Sequence, residues 1–125
     1  MTETNHVVAQ YVQCYNARDI DGMLQCVTDD VVFENISNTG PSMKLEGKEA
    51  MADVARLSGR AFSYRRQRLI SFVDGGGRAA AEIEFEGKAA VDLPNGVAAG
   101  DTVTIKGASF FEIRGGLLAR IADYS

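Results

Sequence analysis

Near the C-terminal end, the run from Asp101 to Tyr124 reads DTVTIKGASFFEI, then RGG, then LLARIADY. Two alternating segments flank Arg114-Gly115-Gly116, whose glycines accept positive φ, which predicts a β-hairpin. In the first segment Val103, Ile105, Ser109, Phe111 and Ile113 share a face; in the second Leu117, Ala119, Ile121 and Asp123 do. Each apolar face carries one polar residue, Ser109 or Asp123. A carboxylate on the apolar side of a strand must be paired, hydrated in a pocket, or shifted in pKa. With Ile121, Phe111 and Val31 as neighbours, Asp123 suits a general acid/base; a structural brace to the first helix is the plainer alternative. A buried Ser109 needs a partner, and the Tyr11 hydroxyl or the Asp123 carboxylate would serve.

A third break of the same kind occurs in VVFEN, where Val31, Phe33 and Asn35 share a face and the last is an amide. Asn35 could hold a water or a carbonyl, or only cap a turn. Two separate strands each breaking an apolar face once carry more weight together than either does alone. Tyr11 and Tyr15, four apart, share one helical face and would present hydroxyls from an otherwise packing surface. The expected catalytic set is therefore Asp123, Asn35 and Tyr11. Substrate contacts are expected from Ser109, Tyr15, Phe33, Phe111, Ile121 and Phe85. Met23, Met43 and Met51 could line an adaptable pocket, although packing accounts more simply for Met23 and Met51.

Other chemistries lack residues. His6 is the single histidine, and Cys14 and Cys26 are two isolated cysteines in expected helices. A histidine triad, a zinc centre and a disulfide framework are not supported, and neither metal nor cofactor is expected.

Elements must bring these side chains together. Thr4 to Ala17 carries Val8, Tyr11, Val12 and Tyr15 at helical spacing. After the break at Asn16-Ala17-Arg18, Asp19 caps a short second helix holding Ile20, Met23, Leu24 and Val27, ended by Asp29-Asp30. A strand follows from Val31 to Asn35. Ile36 to Glu46 (ISNTGPSMKLE) reads as an irregular loop. Gly47 leads into a third helix from Lys48 to about Arg60, with Ala50, Met51, Val54, Ala55 and Leu57 as its buried stripe. Phe62 to Val73 is a strand with Arg65, Arg66 and Arg68; Ala79 to about Ala90 is the next, with Glu82, Glu84 and Glu86 facing away from Ala79, Ala81, Ile83 and Phe85. Cross-strand pairing of the basic and acidic rows on a solvated face is the simple reading. An anion site built from all three arginines is disfavoured, because alternation sets Arg65 opposite Arg66 and Arg68. The order α-α-β-α-β-β-β-β predicts an α+β fold with one curved antiparallel sheet.

The chain has 125 residues, 46% hydrophobic and 24% charged, with a net charge of −4 and a pI near 4.9. One domain with a substantial core is expected over residues 1–125. Acidic balance argues against nucleic acid as a partner, and no apolar run reaches membrane-spanning length. The polar start MTETNH does not read as a signal peptide, so a cytoplasmic setting is expected.

The element order, together with YVQCYNARDIDGMLQCVTDDVVFEN, LEGKEAM and GASFFEIRGGLLARIADY, resembles the nuclear-transport-factor-2-like superfamily, in its SnoaL-like and ketosteroid-isomerase-like branch. The resemblance spans nearly the whole chain. It implies a cystatin-like cone: a strongly curved antiparallel sheet with a mixed edge, wrapped over about three helices, with a hydrophobic pocket at the open end. It also implies a small hydrophobic ligand and homodimers packed through the sheet face. Tyr11 stands where the isomerases keep an oxyanion-binding tyrosine, but Asn35 replaces their proton-shuttling aspartate and Ser109 their protonated aspartate. An amide cannot abstract a proton, and a hydroxyl is a weaker oxyanion donor than an unionised carboxyl. In the limonene-epoxide-hydrolase branch, Asn35 and Asp123 match the water-holding and water-activating residues. Phe33 replaces its tyrosine there, and Ile83 and Phe85 replace its arginine–aspartate pair. Asp123 also resembles the late-strand acid/base of SnoaL-type cyclases, whose histidine has no counterpart at Gly87-Lys88-Ala89. The resemblance thus implies acid/base chemistry by Asp123 on a ketone, polyketide-like or epoxide substrate, as isomerase, cyclase or hydrolase. The alternative is a non-catalytic ligand-binding or dimerisation module.

Overall fold

The computed structural model describes residues 3–94 and 96–125. Three helices, α1 (Glu3–Asn16), α2 (Ile20–Gln25) and α3 (Lys48–Ala61), accompany six strands. These are β1 (Val27–Ile36), β2 (Met43–Glu46), β3 (Phe62–Asp74), β4 (Arg78–Ala89), β5 (Thr102–Arg114) and β6 (Leu117–Tyr124). They form one mixed sheet in the order β2-β1-β6-β5-β4-β3, against which the helices pack. The β1–β6 ladder is parallel and the other four are antiparallel. Side chains from all three helices and the inner sheet face make the core, with Val8, Val27, Val31 and Leu118 each 0% exposed. No helix among the described residues is long and apolar enough to cross a membrane.

Several expectations shift by a few residues. The second helix stops at Gln25 rather than at Asp29-Asp30: Asp19 caps it through Gly22 N–H at 2.9 Å, and Cys26 closes it. Val27 then opens β1, not a helical stripe. The expected loop over residues 36–46 ends in strand β2, which pairs Met43 with Asn35 and Leu45 with Phe33. Met-Lys-Leu-Glu is too short for its alternation to register, and the partner strand supplies the order. Leu57 is 62% exposed, because Met51, Val54, Ala55 and Ser58 follow the inward row of α3 and Leu57 falls between turns of it.

The hairpin holds the most consequential irregularity. Glu112 pairs with Arg120 but Ile113 pairs with Leu118, leaving Ala119 as an extra residue on β6. This β-bulge shifts the pleat, so Leu118 and Ile121 both enter the core, whereas strict alternation groups Leu117 with Ile121. Asp123 stays on the inner face with Ile121.

Side chains of the α1–α2 connection fasten the helices to the sheet. Asn16 pairs with both backbone groups of Gln67 on edge strand β3, accepting from its N–H at 2.7 Å and donating to its carbonyl at 2.9 Å. Free edge groups are thereby satisfied. Arg18 donates to the carbonyls of Gly59 and Phe62 at 2.6 and 2.7 Å, tying the end of α3 to the same corner. On the outer face, register sets Arg66 opposite Glu86 and Arg68 opposite Glu84, the latter pair closing at 2.9 Å.

The bulge makes a testable distinction. Leu118→Ala should cost about 3 kcal/mol, as for a fully buried leucine, and Leu117→Ala less than half of that. Urea unfolding of the two variants measures it; the reverse order would restore unbroken alternation.

Candidate active site

A cavity of about 360 Å³ opens between the helices and the inner sheet face, a volume usual for a small-molecule site. Its polar wall is set by register. Asn35 on β1 is the partner of Asp123 on β6, and Asp123 is the partner of Ser109 on β5. These three residues, far apart in sequence, therefore stand side by side across three adjacent strands, all on the cavity lining. The Ser109 hydroxyl donates to Asp123 Oδ1 at 2.5 Å, the short distance of a charge-assisted bond. Between the two partners offered by sequence, Ser109 takes the carboxylate. Asn35 is exposed, and its amide makes no hydrogen bond to the described residues.

Burial in a mostly apolar wall raises the Asp123 carboxyl above its ordinary value, and the Ser109 hydrogen bond pulls partly the other way. Tyr11 reaches the cavity from α1. Burial first, then the negative charge of Asp123, pushes its phenol well above the usual tyrosine range, so it remains a donor. The Tyr11 hydroxyl also has no hydrogen-bond partner among the described residues. The arrangement is a carboxylate poised to exchange a proton, flanked by an amide and a neutral phenol able to hold an oxygen.

Apolar surface completes the cavity. Phe33 and Phe85 line it, the latter edge-on to Phe62 at 5.3 Å between centroids. Gly87 makes this pair possible, since a Cβ there would meet both rings at 2.8–2.9 Å. The side chain missing from the β4 wall is thus replaced by aromatic carbon. Met23, Met43 and Met51 line the cavity too, Met23 and Met51 while also belonging to the core. Phe111 and Ile121, expected as substrate contacts, are corrected: they pair with each other, are 2% and 1% exposed, and lie in the core outside the lining. Along β5 and β6 they sit one inward step beyond Ser109 and Asp123, where helix side chains cover them.

Sequence reasoning left out the opposite wall. Tyr15 lines it as expected, but its ring carries the guanidinium of Arg65 at 4.1 Å from the centroid. Arg65, Gln67 and Ser58 are lining residues as well. The available signal was the alternation that set Arg65 apart from Arg66 and Arg68. Burial raises the Tyr15 phenol, with Arg65 opposing.

The raised carboxyl fixes the sign of a stability effect. Protonated Asp123 suits the folded site better than the unfolded chain, so this contribution is full below the ordinary aspartate pKa. It is lost as pH rises through the higher folded value. Asp123→Asn, whose amide oxygen still accepts from Ser109, should be at least as stable as the parent at pH 7. The gap should close toward pH 3. Thermal unfolding at the two pH values tests this, and a strongly destabilised variant at pH 7 would make Asp123 a brace.

Comparison with known proteins adds the following. The SnoaL-like domain family matches residues 8–121 of the chain. No curated protein gives a significant match. Among solved structures, a proposed polyketide cyclase from Pseudomonas putida KT2440 is 30% identical, covering 100% of this chain and 92% of that one, with a TM-score of 0.81. A proposed polyketide cyclase from Xanthomonas campestris pv. campestris is 27% identical over 98% and 90% of the two chains, TM-score 0.77. An epoxide hydrolase from M. tuberculosis shares the fold at 20% identity over 98% and 81%, TM-score 0.77.

Proposed function

The chain belongs to the SnoaL-like domain family, and on that footing we propose that it is an acid/base enzyme acting with its own side chains on a small, mostly apolar ketone of polyketide-like character. The observation that carries this is the row Asn35–Asp123–Ser109 on the wall of an apolar cavity, with the Tyr11 hydroxyl, unbonded among the described residues, sharing that cavity. Ionised Asp123 removes a proton from the carbon beside the carbonyl, and the C–H electrons pass into the enolate. Ser109 occupies Oδ1 and leaves Oδ2 for the proton. Tyr11 and Asn35 donate to the oxygen where charge develops, which is where preorganised donors accelerate most. Protonated Asp123 then returns the proton to the carbon skeleton for isomerisation, or to the new alkoxide when the enolate closes a ring. Resemblance to the 30% identical protein supports the cyclase form. Ketone chemistry is preferred over epoxide opening because Ile83 and Phe85 give the lining no acid at the β4 wall.

The test is exchange of α-protons for deuterium in apolar ketones and 1,3-diketones, followed by NMR. Asp123→Asn should slow exchange by about 10³-fold, and Tyr11→Phe by about 10²-fold, as general-base and oxyanion losses do. The rate should climb with pH through the raised Asp123 pKa and then level off. Ketone binding without exchange in the parent protein would favour a non-catalytic binding module.

We further propose that two copies pair through the outer sheet face. Val73, Ala80, Phe110 and Ala122 form a cross-strand apolar row there. Val73 is 66% and Phe110 46% exposed, and ion pairs of Arg120 with Glu34 and Glu112 lie beside the row. Light scattering should give a dimer mass, and Phe110→Glu a monomer; a monomeric parent protein would overturn the pairing.

A further inference from the structure

Arg65 is 4% exposed, yet among the described residues it has no carboxylate partner within salt-bridge reach. Its Nη1 donates to Ser58 Oγ at 2.8 Å, its plane rests on the Tyr15 ring, and its Nε is buried without a hydrogen-bond partner. The β3 pleat that turns Arg66 and Arg68 outward to the acidic row turns Arg65 into the cavity, opposite Gly87, which offers no side chain to cover it. Asp123 forms no ion pair with it; that carboxylate accepts from Ser109. A buried, always charged guanidinium with an open donor is unfavourable for folding alone. Its fork matches a planar oxyanion.

We propose that Arg65 anchors the ligand by a carboxylate, so that the compound taken up by this cavity is an apolar, largely aromatic acid rather than a neutral ketone alone. A monoanion is favoured over a dianion. Arg65 is the one basic side chain in the lining among the described residues, and Asp123 the one acidic. A phosphate dianion would leave excess negative charge in an apolar wall that already holds a carboxylate. Arg65 and Asp123 come from strands at opposite ends of the β6-β5-β4-β3 series, with β4 and β5 between them. One molecule anchored at Arg65 thereby extends its body along Phe62 and Phe85 toward the proton-transferring row. The inference rests on the cavity being the ligand site proposed above, but not on catalysis by Asp123.

The test is calorimetric binding of 2-naphthoic acid and of its methyl ester, which differ in charge and little in shape. The acid should bind the parent protein at least tenfold more tightly than the ester. Arg65→Gln should remove that preference by weakening the acid far more than the ester, and Arg65→Lys should retain part of it. Should Arg65→Gln fail to fold, the acid–ester ratio in the parent protein and in Arg65→Lys decides. Equal affinity for acid and ester, or an acid preference that survives Arg65→Gln, overturns the proposal. Absence of binding by both overturns it too. Acid preference without α-proton exchange would sink the catalytic reading and keep this one; exchange without acid preference would do the reverse.

Discussion

The parallel ladder between β1 and β6 is the constraint on which the site depends. It pairs Asn35 with Asp123 while the antiparallel β5–β6 ladder pairs Asp123 with Ser109. Because side chains alternate faces along a strand, a one-residue slip in either ladder would send one member of the row outward. The buried side chains flanking the row, Phe111, Ile121 and Val31, oppose such a slip, since it would also expose them. Core packing and site assembly are thus the same event. The Ala119 bulge belongs to this arrangement: it lets Leu118 fill the core near the turn while Ile121 and Asp123 keep the inner face further on.

Polarity is sorted by the pleat as strictly as hydrophobicity is. Arg66 and Arg68 stand opposite Glu86 and Glu84 on the outer face, where an exposed pair such as Arg68–Glu84 contributes little to stability and mainly keeps the face hydrated. Arg65, one residue earlier, lies under the helices with an aromatic ring and a serine as its company. Asp123 and Arg65 are both drawn out of water without pairing to each other. Groups left in that condition are costly in folding terms and concentrate at sites where a ligand completes them.

Small residues shape the cavity as much as large ones. Gly87 leaves its space to the rings of Phe62 and Phe85, and at Gly107 a Cβ would run into the backbone carbonyl of Tyr124. Both lie on strands that wall the cavity, where an added side chain would displace aromatic surface or force β5 from β6. Asn16 and Arg18 fix the opposite wall, seating α1 and α3 against β3 so that Tyr11, Tyr15 and Ser58 face the sheet.

Much of this was legible in the amino-acid order. Helical spacing marked α1, and alternation marked β3 to β6. Asp19 announced its cap, and the lone polar residues on apolar faces, Asn35, Ser109 and Asp123, pointed to a site. These are local signals: each depends on a residue and its neighbours within two turns or a few strand steps. Strand β2 and the core positions of Phe111 and Ile121 depend on partners distant in sequence. So does the inward turn of Arg65, whose role follows from what lies above it. Sequence alone determined which side chains break an apolar face; only the tertiary structure decided which breaks meet, because register and helix placement are set by long-range packing that no local period records.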